Sequence, residues 1–180
     1  RVLFRSQGYS EPGAGSDLAA LGTRAERKGD VYVVNGQKIW TTYAHWADWI
    51  FLLVRTSREE RPQDGISFLL VDMTSPGVSV RPITTIDDHH HVNEVFFEDV
   101  EVPVDNRVGE EGKAWTYSKF LLSHERLISG ETGKARRQLR AVKALADRVE
   151  EGGAPLSADP DVARRIADAE IALRSLEATC

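Results

Sequence analysis

The chain is predicted to be an α+β protein, with a β domain first and helices after it. Up to about residue 108, short runs rich in Val, Ile, Phe and Trp alternate with Gly, Pro and Asp, as strands punctuated by turns do. After Gly112, apolar residues recur at spacings of three and four, from Ala114, Tyr117 and Leu121 to Leu139, Val142, Leu145 and Val149, which is the period of a helix. With 41% hydrophobic and 28% charged residues over 180 positions, the chain can bury a sizeable core and does not have the composition of a disordered one. Composition changes only once, so we divide the chain into residues 1–108 and 109–180. Two helices with apolar stripes cannot close a bundle alone, so the second domain reads as truncated.

Strands are expected near Leu3 to Ser10, Val31 to Val34, Gln37 to Thr42, Trp49 to Thr56, Ile66 to Asp72, Val78 to Ile83 and Val92 to Val102. Asn35-Gly36 carries the signal of a two-residue hairpin turn, because both residue types tolerate positive φ, and predicts that the flanking strands pair antiparallel. Ser16 to Leu21 and Tyr43 to Trp46 lack alternation and read as loops or single helical turns. The periodic stretch after residue 114 reads as one long helix or two in line, ended by Glu151-Gly152-Gly153-Ala154-Pro155. Asp159-Pro160 is an N-cap with proline at the first helical position, and Val162, Ile166, Ala169, Leu173 and Leu176 form the stripe of a second helix. These stripes are expected to be partly uncovered and to pair with other copies.

Composition also excludes several functions. There are 23 Lys and Arg against 28 Asp and Glu, a formal charge of −5, and the cations form no block of the kind that grips phosphate backbones, so nucleic acid is not expected as a partner. The longest apolar runs, Trp49 to Val54 and Ile66 to Val71, are far below the roughly 20 residues that span a bilayer. The single cysteine, Cys180, allows neither a disulfide framework nor a Cys-rich metal site and fits a reducing compartment. Arg1 opens the chain within an apolar stretch with no charged-then-apolar leader, and the reading is a piece of something longer.

Four groups of residues could carry chemistry. Ser10-Glu11-Pro12-Gly13-Ala14-Gly15-Ser16-Asp17 places two glycines and two hydroxyls on a tight loop, whose amides could cradle a phosphate or a heterocycle edge. The same loop is also an ordinary strand connection, and its Gly spacing is not that of a dinucleotide fingerprint. In Lys38-Ile39-Trp40-Thr41-Thr42, alternation sends Lys38, Trp40 and Thr42 to one face and Ile39 and Thr41 to the other. An indole beside a hydroxyl suits a flat aromatic ligand, although a tryptophan packed under a sheet has the same pattern. His89-His90-His91 does not read as a metal site, since at most His89 and His91 share a face and no further ligand completes the set. On the long helix, Glu125 shares a face with Leu121, Leu122 and Ile128, with Arg126, Ser129, Gly130 and Gly133 on the adjoining stripe. A solvated Glu-Arg pair fits that spacing equally well.

Together these pieces resemble the acyl-CoA dehydrogenase family. Tyr9 to Asp17 is similar to the family's signature loop, and Tyr32-Val33-Val34-Asn35-Gly36-Gln37-Lys38-Ile39-Trp40-Thr41-Thr42 to its second signature, in the same order and at a matching separation. Asn93 to Val100, Val102-Pro103, Gly109 to Gly112 and His124-Glu125-Arg126 resemble the rest of the pattern, so the likeness covers essentially the whole chain.

The resemblance implies an antiparallel, barrel-like middle β domain over 1–108 and the start of the C-terminal helical domain over 109–180. It implies FAD as cofactor and oxidation of an acyl-CoA thioester to the trans-2-enoyl-CoA in fatty acid metabolism, with a carboxylate removing the α proton and the β hydride passing to the flavin. Electron-transfer flavoprotein then takes the electrons. By position, Ser10, Trp40, Thr41 and Thr42 match the flavin-side residues, Ser16 and Arg126 the substrate side. Many members carry threonine where this chain has Ser10, so the hydroxyl is kept. The usual base of the family lies near the end of the helical domain, beyond Cys180. A minority place it just before the helix arginine, which here is Glu125.

The expected assembly is a homo-oligomer or a heteromeric dehydrogenase, in a bacterial cytoplasm or a mitochondrial matrix. The 180-residue piece itself is expected to hold no stoichiometric FAD and to be inactive. A flavin monooxygenase or nitroalkane-oxidising enzyme of the same fold, or a non-catalytic subunit of a heteromeric dehydrogenase, are the other readings.

Overall fold

A computed structural model of the chain describes residues 5–129 and 131–179, with the backbone alone for 126–129. The expected strand residues Leu3 and Phe4, the helix residue Gly130 and the terminal Cys180 lie outside the described residues. Two compact units divide after Lys119: Arg1–Lys119 and Phe120–Cys180.

The first unit is a mixed sheet curled into a half-barrel. Its strands are β1 (Arg5–Gly8), β2 (Arg24–Lys28), β3 (Val31–Thr42), β4 (Trp49–Arg55), β5 (Ile66–Asp72), β6 (Val78–Ile83) and β7 (Val92–Pro103), in the order β1-β4-β2-β3-β7-β6 with β5 on β4. The β1–β4 and β2–β4 pairings are parallel and the other pairings are antiparallel. Alternation builds the core: Tyr32 and Val34 of β3, Ile50, Leu52 and Val54 of β4, Leu69 and Val71 of β5, and Val95, Phe97, Val100 and Val102 of β7 all face inward and are buried. The single turns at Leu18–Ala20 and Ala44–Trp46 fall where alternation was missing.

Asn35-Gly36 is not a hairpin turn. β3 runs through it as one twelve-residue strand paired with β7, and the hairpin lies earlier, at Gly29-Asp30 between Lys28 and Val31, with Gly29 at φ +63°. The cause is an extra residue on β7 opposite the dipeptide. Asp99, at φ +50°, donates its backbone N–H to Asn35 Oδ1 at 3.0 Å and accepts from Asn35 Nδ2 at 2.9 Å. Gly36 is required there for another reason: a Cβ on it would stand 2.6 Å from the Thr23 Cα.

β2 was not expected, because Arg24-Ala25-Glu26-Arg27-Lys28 shows no apolar alternation. Only Ala25 is buried in it, and the strand forms by pairing with β3.

Residues 104–119 are fastened to the sheet, which puts the unit boundary beyond the compositional change. Val108 N–H donates to Phe68 O at 2.8 Å, Gly112 N–H to Ser67 Oγ at 2.9 Å, and the Tyr32 hydroxyl to Glu111 Oε2 at 2.6 Å. The first turn of helix α1 (Ala114–Ser129) follows, with Ala114 and Ser118 buried.

The second unit begins inside α1. After it come α2 (Thr132–Arg148), a small hairpin of β8 (Glu150–Glu151) and β9 (Ala154–Pro155) turned by Gly152 and Gly153, and α3 (Pro160–Thr179). The periodic stretch is therefore two helices, and Glu131, at the start of α2, has φ +40°. Asp159 caps α3, its Oδ1 accepting the Asp161 and Val162 N–H groups. α2 and α3 lie antiparallel, joined by Arg136–Glu177 and Lys143–Glu170 ion pairs. Leu139, Val162, Ile166 and Leu173 are half-buried, while Val142, Leu145, Val149, Ile171 and Leu176 are exposed. No described helix is long and apolar enough to cross a membrane.

Candidate functional site

The site begins with a kink in β3. Between Lys38 and Thr41 the register against β7 gains one residue on β3, and Trp40 sits there at φ +58°, in the left-handed region. The bulge corrects the face assignment made from alternation. Lys38 and Thr41 both turn inward and are buried, whereas Trp40, 58% exposed, and Thr42 turn outward. Trp40 and Thr42 thus share a side as expected, but Lys38 is not on it. Among the described residues, Thr41 Oγ1 is buried without a hydrogen-bond partner.

The loop carrying the two serines is brought to this strand end. Ser10 follows β1, is half-buried, and its carbonyl accepts the Ile39 N–H at 2.9 Å, one residue from Trp40. Ser6 Oγ, on β1, donates to Thr42 O at 2.7 Å. Ser10, Trp40 and Thr42 therefore gather at one end of the sheet. Ser16 lies farther along the loop and is exposed.

A buried ion pair ties loop and strand together, and sequence reasoning missed it. Lys38 Nζ donates to Glu11 Oε1 at 2.7 Å and to Tyr9 O at 3.1 Å, with its side chain 0% exposed. Glu11 Oε1 also accepts the Thr23 N–H at 3.0 Å, and Oε2 accepts the Gly22 N–H at 2.6 Å. Burial pulls the Lys38 ammonium down to about 8, against the charge and hydrogen bond of Glu11. For Glu11, burial alone would raise the carboxyl, but the Lys38 charge and the bonds from Lys38, Thr23 and Gly22 outweigh it and hold the group below its usual range. A signal was present: Tyr32 and Val34 are inward, so continued alternation puts Lys38 on the core side.

Arg55 braces the far side of the same loop. Its guanidinium donates to the carbonyls of Ala19 at 2.7 Å, Leu21 at 3.2 Å and Pro62 at 2.9 Å. Beyond Thr42, Asn93 is fully buried. Its Nδ2 donates to Thr41 O at 3.0 Å, which orients the amide so that Oδ1 accepts from His45 Nδ1 and His90 Nε2. His45 and His90 stack at 4.0 Å. His89 and His91 approach each other at 5.3 Å, and no group of three metal-ligating side chains occurs among the described residues.

Glu125 and Arg126 stand side by side in sequence on α1, in the second unit. Glu125 is half-buried, as is Leu121 on its face, while Leu122 is exposed. The side chains of Arg126, Ile128 and Ser129 lie outside the described residues.

Exposing an indole beside a hydroxyl is costly for a folded core and useful for a flat heterocycle. The strand end presents an aromatic face at Trp40 and a hydroxyl at Thr42, with Ser10 in the adjoining loop, on a backbone held by β1 and β7, and that arrangement suits a flat heterocycle.

Known proteins of one family match this chain. Residues 6–100 match the family model of the acyl-CoA dehydrogenase middle domain. Acyl-CoA dehydrogenase IpdE1 of Mycobacterium tuberculosis is 41% identical over 172 residues, covering 94% of this chain and 43% of the relative. FadE29, an acyl-CoA dehydrogenase of the same organism, is 48% identical over 127 residues, covering 71% and 33%. A chain in the crystal structure of the ChsE4-ChsE5 complex from Mycobacterium tuberculosis superposes with a TM-score of 0.85 at 40% identity, covering 97% of this chain and 45% of that one. The chain spans less than half the length of these relatives. Family members are FAD-dependent oxidoreductases. With its half-barrel, its following helices and its match to the middle-domain model, the chain belongs to the acyl-CoA dehydrogenase family.

Proposed function

We propose that the protein carrying this chain oxidises an acyl-CoA thioester to the trans-2-enoyl-CoA with FAD. The observation that carries the reading is Trp40, turned out of β3 at φ +58° and 58% exposed beside Thr42, in a chain of this family. Bound FAD supplies the acceptor for the β hydride. Trp40 offers its indole face to the ring, and Thr42 and Ser10 offer hydroxyl donors, which are worth more where charge develops on the ring. Thr41 backs that edge from the inside, held through its carbonyl by Asn93. Ser16 and Arg126 are assigned to the substrate, Ser16 on the CoA limb.

Glu125 is proposed as the base, taking the substrate α proton onto its carboxylate, if no carboxylate at the family's usual later position serves. Its half-buried setting beside Leu121 removes part of the water that would otherwise solvate it. The test is Glu125→Gln in the full-length protein. Substrate-dependent flavin reduction is expected to fall by roughly a hundredfold or more, the scale of a lost general base. A rate near wild type removes Glu125 from the mechanism.

Electron-transfer flavoprotein is the proposed oxidant and a cytoplasmic location the proposed setting. The proposed assembly is a homo-oligomer or a heteromeric dehydrogenase, and similarity to a chain of the ChsE4-ChsE5 complex supports the second.

A further inference from the structure

The loop from Ser10 to Gly22 has one feature that a simple strand connection does not need. Its neck is closed by a side chain: the Glu11 carboxylate accepts the amides of Gly22 and Thr23, eleven and twelve residues later. At the same end Glu11 and Ala14 exchange backbone hydrogen bonds at 2.9 and 3.0 Å, so the first turn of the loop is tied as well. The third donor to Glu11 is Lys38, two residues before Trp40 on β3. Lys38 Nζ also reaches Tyr9 O, so the ammonium grips the chain on both sides of Ser10.

A buried ion pair adds little net stability, because desolvating both charges offsets most of their attraction. What it does supply is direction: four donor–acceptor contacts, counting Lys38 to Tyr9, that are satisfied in one register of loop against strand. Closing a loop of this length in advance also removes an ordering cost that a ligand would otherwise bear.

We propose that Lys38 and Glu11 are positioning residues, whose buried pair fixes the Ser10–Gly22 loop against the Trp40–Thr42 strand end so that hydroxyls from both segments meet the flavin and the CoA thioester as one preformed surface. The assignment rests on the FAD-dependent reading above for its ligands and on the structure for its geometry. Neither residue touches cofactor or substrate; each acts through Ser10, Ser16, Trp40 and Thr42.

The test uses the full-length protein with Lys38→Met, Glu11→Gln and the double variant Lys38→Met/Glu11→Leu, which leaves no unpaired buried charge. In the single variants the FAD dissociation constant and the acyl-CoA KM are expected to rise roughly tenfold or more, while kcat of the flavin-saturated enzyme changes less than about threefold. Amide exchange is expected to quicken at Gly22, Thr23 and Ile39 and to stay slow in β4 and β5. The double variant folds but does not recover FAD affinity, and Leu69→Ala, which weakens the core elsewhere, leaves the FAD dissociation constant unchanged. Wild-type FAD affinity and wild-type exchange in the single variants would overturn the proposal, as would full recovery in the double variant, since a purely stabilising pair is replaced by apolar side chains without loss. Where a single variant fails to fold, the double variant decides. A wild-type protein that binds no FAD refutes the functional reading instead, and exchange at Gly22, Thr23 and Ile39 still decides the clamp.

Discussion

The β unit and the helical unit spend their charges differently. In the first, a lysine with no exposed surface is paired inside the fold, and Arg55 is committed to three backbone carbonyls. In the second, Arg136–Glu177, Lys143–Glu170 and Arg164–Asp168 are partly or largely exposed, and apolar side chains such as Val142, Leu145 and Ile171 are left uncovered. The first unit is closed on its own core, with polar groups that order loops. In the second, the described ion pairs between its helices lie at the surface, where such pairs add little stability. The contrast shows where specificity lies in this chain: in buried, directional contacts at the end of the sheet.

The largest expected effect would break that contrast if it failed. Leu69→Ala, in the middle of the buried cluster, should cost about 2–5 kcal/mol. Arg136→Ala, at a half-exposed pair of the helical unit, should cost no more than about 1 kcal/mol. Denaturant unfolding of the two variants checks the ranking, and equal losses would erase the distinction between the units.

A smaller effect is expected in the pH dependence of stability. Lys38 titrates near 8 in the folded protein against an ordinary 10.5. Between these values the unfolded chain binds more protons than the folded one, so this group makes stability rise with pH across that window, and its cost is full below about pH 8. Lys38→Met should flatten the rise relative to wild type, as followed by unfolding at several pH values from 7 to 10.5. The same slope in wild type and Lys38→Met would contradict the buried charge.

Much of the fold was legible because it was local. The strands at 66–72 and 78–83 match the expected ranges, and Asp159-Pro160 begins α3 as its cap chemistry requires. The failures have a common cause in partners far along the chain. Asn35-Gly36 is a turn by its neighbours but a strand by its contact with Asp99, 64 residues away. β2 is a strand only because β3 lies beside it. At the site, Trp40 and Thr42 could be put on one side from the sequence. Alternation from Tyr32 and Val34 also put Lys38 on the core side, but the left-handed backbone that turns Trp40 outward and the meeting of Lys38 with Glu11 across 27 residues were not legible, since a tryptophan at positive φ has no local signal.

On the proposed function, the sheet end with Ser10, Trp40 and Thr42 holds a flavin that an acyl-CoA reduces. Anaerobic mixing of the full-length protein with an acyl-CoA tests it most directly, with the visible flavin band and the enoyl-CoA product followed together. Bleaching is expected, with one enoyl-CoA formed per flavin. Slower bleaching is also expected in Thr42→Val with FAD still bound and the fold intact, by roughly the 0.5–1.5 kcal/mol of a hydrogen bond or more. A protein without flavin, a flavin that acyl-CoA does not bleach, or an unchanged rate in Thr42→Val would contradict it.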